Sequence, residues 1–238
     1  MNQSLRILLW DLDGTLVRGR RFGTFKEYTV PMLERVFGTA GCLPEMVVSG
    51  MTDLQIVEEA LRSEGITREH IHSRREELQR CYIDEMKRAL VDGAHVIEAM
   101  PGAQEILEKL DSMPRYQSAL LTGNIEPAAE LKVEVAGLAK YFRLPGAFGN
   151  ESFDRRDLPA MAAQRISDRL QAKLAPEQFI VIGDTPNDIA CARHFGARVV
   201  AVATGRIHSA DDLRECKPDA LLPDLLDVEL VTRTLDEL

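Results

Sequence analysis

Several short apolar runs break off in turn residues, the pattern of strands buried on both faces. They are "RILLW" (6–10), "QSALL" (117–121), "FIVIG" (179–183) and "RVVAVATG" (198–205), with a weaker run at "DALL" (219–222). Between them, apolar residues recur at helical spacing. Pro101 is expected to open one helix, with Ile106, Leu107 and Leu110 on its inner side. A second is expected to start near Pro159, where Leu158, Ala162, Ile166, Leu170 and Leu174 repeat every four residues. A third starts at "TPND" and stops near Gly196. Strands alternating with helices predict βαβ units and a parallel sheet covered on both faces.

From about Arg18 to Val96 the pattern changes, with helix signals and no clear strand. Ser73 and Glu76 have capping-box spacing, and Leu78, Tyr82, Met86 and Leu90 follow every four residues. "TDLQ" (52–55) is a second helix start. The expected organisation is an α/β core made of residues 1–16 and 97–238, interrupted early by a helical insert over residues 17–96.

Ligands of open α/β sheets bind beyond the carboxyl ends of the strands, so the residues at those ends matter most. The first strand leads into Asp11, Asp13, Gly14 and Thr15, and the second into Thr122, Gly123 and Asn124. The third leads into Gly183 and Asp184, with Asp188 in the next helix turn, and the fourth into Thr204 and Gly205. Each has a local explanation. Asp-Gly is a common turn pair, Thr-Gly-Asn an ordinary strand exit, and Thr185 with Pro186 and Asp188 makes a helix start unaided. Gathered at one rim of one sheet, they predict a site. At positions i and i+2, Asp11 and Asp13 are expected side by side on one face, repelling each other. A hard divalent cation removes that repulsion. Mg²⁺ takes oxygen ligands, commonly one or two carboxylates plus substrate phosphate, so acids beside a threonine hydroxyl and backbone N–H groups suit phosphate handling.

Composition narrows the partners. Forty-five per cent of the 238 residues are hydrophobic, enough for a sizeable core, and 38 acids against 29 bases leave a net charge of −9. That balance gives no general attraction to nucleic acid or an anionic membrane, and an anionic substrate would need a locally positive site. Cys42, Cys81, Cys191 and Cys216 are scattered, which predicts reduced, mostly buried thiols. His70, His72, His95, His194 and His208 have no metal-ligand spacing and are expected on the surface. The apolar run before Asp11 is short for a signal peptide and no later segment is long enough to span a bilayer, so a cytoplasmic protein is expected.

"DLDGT", the run ending in "LLTGN", and "IVIGDTPND" resemble, in order, the first, second and fourth motifs of the haloacid dehalogenase-like hydrolases, and most closely the phosphoglycolate phosphatase-like branch. The resemblance implies a Rossmann-like three-layer core with a parallel sheet and an inserted all-helical cap. It implies that Asp11 is the nucleophile, forming an aspartyl-phosphate, and that Asp13 is the acid and base. The metal ligands would be Asp11, Asp184 and the backbone carbonyl of Asp13, with Mg²⁺ as cofactor. Thr122, Gly123 and Asn124 would hold the phosphoryl group, and Asp188 would orient the basic residue of the third motif. That motif departs from the family's lysine: the stretch is "ESFDRRDLPAM", with no lysine between Lys140 and Lys173. Arg155 falls best on the lysine position and would join the phosphate-binding residues, with Arg156 as competitor; an arginine supplies the positive charge and a fork for phosphate or carboxylate but lacks lysine's compact geometry.

"SGMTDLQIV" (49–57) resembles a cap turn that faces the site, making Gly50 and Thr52 candidate substrate neighbours. The basic residues Arg18, Arg20, Arg21 and Lys26 at the insert's entry read either as a solvated hinge or as a contact for an acidic substrate. Asp13 argues for phosphate esters over haloacids, because an alkoxide leaving group needs a proton and a halide does not. The reading is a Mg²⁺-dependent phosphatase for a small phosphorylated metabolite. The alternatives are a phosphosugar mutase like beta-phosphoglucomutase, and a non-catalytic phosphometabolite-binding module.

Overall fold

The computed structural model describes residues 5–21, 24–91, 93 and 96–238. Within these the main sheet has six strands, all parallel: β1 (Arg6–Trp10), β4 (Tyr116–Thr122), β5 (Ala147–Phe148), β6 (Phe179–Gly183), β7 (Arg198–Val202) and β8 (Ala220–Leu222). They lie in the order β5-β4-β1-β6-β7-β8. β1 is therefore central, and its register sets Trp10 beside Leu120 of β4 and Ile182 of β6. The chain order reverses at β1, and the crevice beyond its carboxyl end is where a ligand of such a sheet sits.

The alternation along β1 divides the core. Leu8 and Trp10 pack on one side with Ile106 and Leu107 of α5 (Ala103–Asp111) and Ala128 and Val133 of α6 (Glu126–Val135). Val231 and Leu235 of α10 (Val228–Glu237) join them. Ile7 and Leu9 pack on the other side with Ala162 and Ile166 of α7 (Leu158–Leu170), Ile189 of α8 (Pro186–Phe195) and Leu213 of α9 (Ala210–Glu215). Each fully buried leucine or isoleucine contributes roughly 1.5–3 kcal/mol. The result is the Rossmann-like helix–sheet–helix sandwich.

Between β1 and α5 run α1 (Thr24–Phe37), α2 (Asp53–Leu61), α3 (Arg68–Ser73) and α4 (Arg75–Val91). α1 and α4 pack along each other, with Tyr28 edge-on to Tyr82 at 5.4 Å. The chain leaves and re-enters the core through an antiparallel ribbon, β2 (Val17–Gly19) against β3 (Ile97–Ala99). Two such short strands carry no readable periodicity.

Several expected details differ. Pro101 precedes α5, whose N-cap is Gly102 in the left-handed conformation at φ 82°. Leu174 lies outside α7, which stops where Gln171 turns left-handed. Ser73 closes α3, its hydroxyl donating to the His70 carbonyl, and so does not cap α4. Cys42 and Cys216 are exposed and only Cys81 and Cys191 buried, all four free. His70, His72 and His194 are exposed and His208 half-buried; His95 lies outside the described residues. Among the described residues no helix is long and apolar enough to cross a membrane.

Candidate active site

β1 stops at Trp10, and Asp11 follows on the same side as Ile7 and Leu9, its N–H bonded to the Ile182 carbonyl at 2.8 Å. That side carries α7 and α8. Arg155, in a tight turn just before α7, reaches Asp11 Oδ1 from its Nη2 at 2.6 Å and Asp188 Oδ1 at 2.5 Å. All three residues are at least 95% buried. Asp188 Oδ2 is held in turn by the Thr185 hydroxyl at 2.7 Å and the Thr185 N–H at 3.0 Å, the capping box that starts α8. Both oxygens of Asp188 are thus occupied by protein donors, and it anchors the guanidinium. Arg156 points away and pairs with Asp154 at the surface.

Asp13 stays near enough for its charge to raise the Asp11 carboxyl, but it turns to different partners. Because the strand has ended, its period of two no longer applies, and Asp13 lies in a loop closed by Gly14 (φ 94°), whose N–H bonds the Val17 carbonyl. Its half-exposed carboxylate takes a bond from Lys132 Nζ at 2.6 Å and one from Asn124 Nδ2 at 2.7 Å. Both acids line one cavity, and each has its own cation, Arg155 for Asp11 and Lys132 for Asp13. Lys132 carried no motif and was missed by sequence reasoning. A lysine among the apolar positions of α6 was the only available signal.

Asp184 follows β6 and is cradled by backbone. A Cβ on Gly205 would stand 2.2 Å from its Oδ2, and one on Gly14 2.4 Å. Thr15 donates to its Oδ1 at 3.0 Å. Thr122 ends β4 fully buried, its Oγ1 accepting from Asn124 Nδ2 at 2.7 Å and Asn124 N–H at 3.2 Å. Two accepted bonds leave the hydroxyl's own proton available to a ligand. Gly123 gives its carbonyl to Asp53 N–H at 2.7 Å, and a Cβ there would meet the Met51 carbonyl at 1.9 Å. Only glycine permits that approach of the helical insert.

Ligand atoms of Asp11, Asp184 and Asp188 lie within 4.8 Å of one another. The trio contains the predicted Asp11 and Asp184 and adds Asp188; the expected contribution of Asp13 was its backbone carbonyl, not its side chain, which is turned to Lys132. An all-carboxylate donor set suits a hard cation such as Mg²⁺, and since Asp188 is already bonded, Asp11 and Asp184 keep oxygens for one. Burial, and then the neighbouring Asp188, pushes the Asp11 carboxyl up to about 7 against the pull of Arg155. Burial and Asp11 likewise raise Asp184. Burial works against charge on Lys132, yet Asp13 and Tyr28 outweigh it and keep the ammonium protonated.

The sign of the linkage is fixed by those raised values. Stability from a carboxyl raised on folding is fully present below its unfolded pKa and is lost as pH rises toward 7. A cation that binds the ionised pair restores it. Mg²⁺ at ten times its Kd is therefore expected to add about 1.4 kcal/mol at pH 8, roughly 3–5 °C in melting temperature. At pH 5, where protons compete, the gain should largely vanish. Unchanged melting at pH 8 would refute a metal site here.

These residues floor a cavity of about 590 Å³ roofed by the insert. Arg18, Phe25, Met46 and Val48 line its outer part. Gly50 sits at the seam, its carbonyl accepting from Arg155 Nη1 at 3.2 Å. Thr52 is buried and does not line the cavity; its hydroxyl caps α2 through Gln55 N–H. Of the entry bases, Arg20 pairs with Glu98 and Arg21 with Glu27, and Lys26 donates to the carbonyls of Pro44 and Met46. Of these four, only Arg18 and Lys26 line the cavity. Phe22 and Gly23 lie outside the described residues.

Comparison with known proteins follows the same lines. Residues 5–196 match the sequence model of a family described as haloacid dehalogenase-like hydrolase. A mitochondrial hydrolase of Saccharomyces cerevisiae is 40% identical over 58 residues, a match spanning 24% of this chain and 16% of that protein. Among solved structures, a predicted phosphoglycolate phosphatase from Haemophilus somnus superposes with a TM-score of 0.65 at 22% identity, over 98% of this chain and 99% of that one. CbbY from Rhodobacter sphaeroides, solved in complex with phosphate, gives 0.66 at 14% identity over 94% and 96%. A candidate beta-phosphoglucomutase from Bacteroides vulgatus gives 0.66 at 20% identity over 99% and 90%. At these identities the superpositions establish the fold.

Proposed function

The chain belongs to the haloacid dehalogenase-like hydrolases, and from that premise we propose that it is a Mg²⁺-dependent phosphatase that cleaves a small phosphomonoester through an aspartyl-phosphate on Asp11. The observation that carries the reading is the pair of acids with separate cations on one cavity floor, next to the uncommitted Thr122 hydroxyl. A buried carboxylate paired through one oxygen to Arg155 is fixed in orientation, with its other oxygen directed to reaction. Asp11 attacks phosphorus while Asp13 gives a proton to the leaving oxygen. Asp13 then takes a proton from the water that hydrolyses the acyl phosphate. Thr122 and the Gly123 N–H hold the phosphoryl oxygens, while Asn124, expected among them, has its N–H donors committed to Thr122 and Asp13 and fixes those two side chains instead. Asp11, Asp184 and the Asp13 carbonyl would hold Mg²⁺, which supplies positive charge to the phosphoryl group when bound. The helical insert acts as a cap that excludes water and reads the substrate beyond its phosphate. A cavity of about 590 Å³ fits a metabolite-sized ester.

The test is a panel of phosphomonoesters, phosphoglycolate included, assayed with Mg²⁺ and with chelator. Mg²⁺-dependent phosphate release from at least one small ester is expected, with activity in chelator lower by more than about 100-fold. Undiminished release in chelator would exclude the metal. Sugar phosphates isomerised faster than phosphate appears would turn the assignment to a mutase.

A further inference from the structure

We infer that Lys132 is a positioning residue for Asp13, holding one carboxylate oxygen so that the other is presented to the leaving group; this rests on the phosphatase reading above. Lys132 comes from the middle of α6 and is 3% exposed, a placement lysine adopts only with partners. Its Nζ sits 2.6 Å from Asp13 Oδ2 and 2.6 Å from Asn124 Oδ1. Asn124 Nδ2 donates to the same Asp13 Oδ2 at 2.7 Å. One oxygen of Asp13 thus takes two donors, and Oδ1 takes none among the described residues. Asn124 is itself fixed, through Nδ2 to Thr122 Oγ1 and through its carbonyl to Gly149 N–H at 2.7 Å. A loop aspartate with a side chain 49% exposed would otherwise sample several rotamers. The triangle of Lys132, Asn124 and Asp13 selects one.

The same geometry separates the two cations. The guanidinium of Arg155 serves Asp11 and Asp188 through a single nitrogen and holds the insert through another. Lys132 has no contact with either of those acids; two of its three N–H donors go to the triangle. In the first chemical step an Asp11 oxygen bonds to phosphorus and the ester P–O bond breaks, its electron pair staying on the leaving oxygen. The proton on Asp13 Oδ1 moves to that oxygen, releasing the alcohol and leaving Asp13 ionised. Displacing Oδ1 spoils the proton transfer and leaves the attack intact.

Leaving groups distinguish this role from others. Lys132→Met keeps the stem volume and removes both bonds, and an alkyl phosphate needs the proton where 4-nitrophenyl phosphate does not. The variant is expected to lose about 100-fold in kcat/KM on the alkyl ester and less than about fivefold on the nitrophenyl ester, with Ki for inorganic phosphate unchanged. Lys132→Arg, which retains a donor, should recover part of the alkyl activity. Equal losses on both esters with a raised phosphate Ki would make Lys132 a phosphate ligand and overturn the inference. Equal losses with Ki unchanged and a lower melting temperature would make it structural and overturn it too, as would no loss on either ester. A wild-type chain that cleaves neither ester would overturn the phosphatase reading first, and the positioning role with it.

Discussion

Asp11→Asn is expected to abolish phosphate release, lowering kcat/KM by at least about 10⁴-fold, while the protein melts no lower than wild type at pH 8. The two halves have one cause. Asp11 is 5% exposed and lies beside Asp184 and Asp188, so its charge is held at the expense of the fold, and burial raises its carboxyl to about 7. An amide of the same shape still accepts from Arg155 Nη2 and carries no charge to repel the other acids, but it cannot form an acyl phosphate. Activity and melting temperature moving in opposite directions would mark Asp11 as a residue kept for chemistry. A variant that retained turnover would rule out the covalent route, and one that lost fold and activity together would make Asp11 a structural acid.

Arg155→Ala should have the largest effect on stability, about 3–5 kcal/mol, or on the order of 10 °C in melting temperature. It strips the cation from two buried carboxylates at once and removes the Nη1 bond to the Gly50 carbonyl. Arg156→Ala, breaking only an exposed pair with Asp154, should melt with wild type. Arg155→Lys is informative because both acid contacts of Arg155 come from one nitrogen, Nη2, a task an ammonium performs. It should recover more than half of the lost stability and leave the tie to the insert broken. Thermal melts of the three variants beside wild type check this. A larger loss in Arg156→Ala than in Arg155→Ala would reverse the placement of the third-motif cation.

The strands were legible because a parallel sheet covered on both faces needs unbroken apolar runs. "RILLW" and "FIVIG" became β1 and β6 with their predicted bounds. The ribbon of β2 and β3 and the two-residue β5 were not, since strands that short gain their pairing from neighbours brought up by the rest of the fold. The helix starting at Asp53 was readable from its Thr52 cap, a local interaction. The helix expected after Ser73 formed as α4, with Leu78, Tyr82 and Met86 buried, but Ser73 does not cap it, because that serine bonds back into the helix it ends.

By itself, the sequence determined which acids stand at strand ends and that they share one rim, since both follow from local patterns of two and of 3.6 residues. It also narrowed the third-motif cation to two adjacent arginines. Only the tertiary structure decided between them, and only it gave Asp11 and Asp13 separate cations. Lys132 reaches Asp13 across 119 residues of chain. A pairing over that distance is set by how α6 packs against the sheet, and a lysine among apolar helix positions marks a buried charge without naming its distant partner.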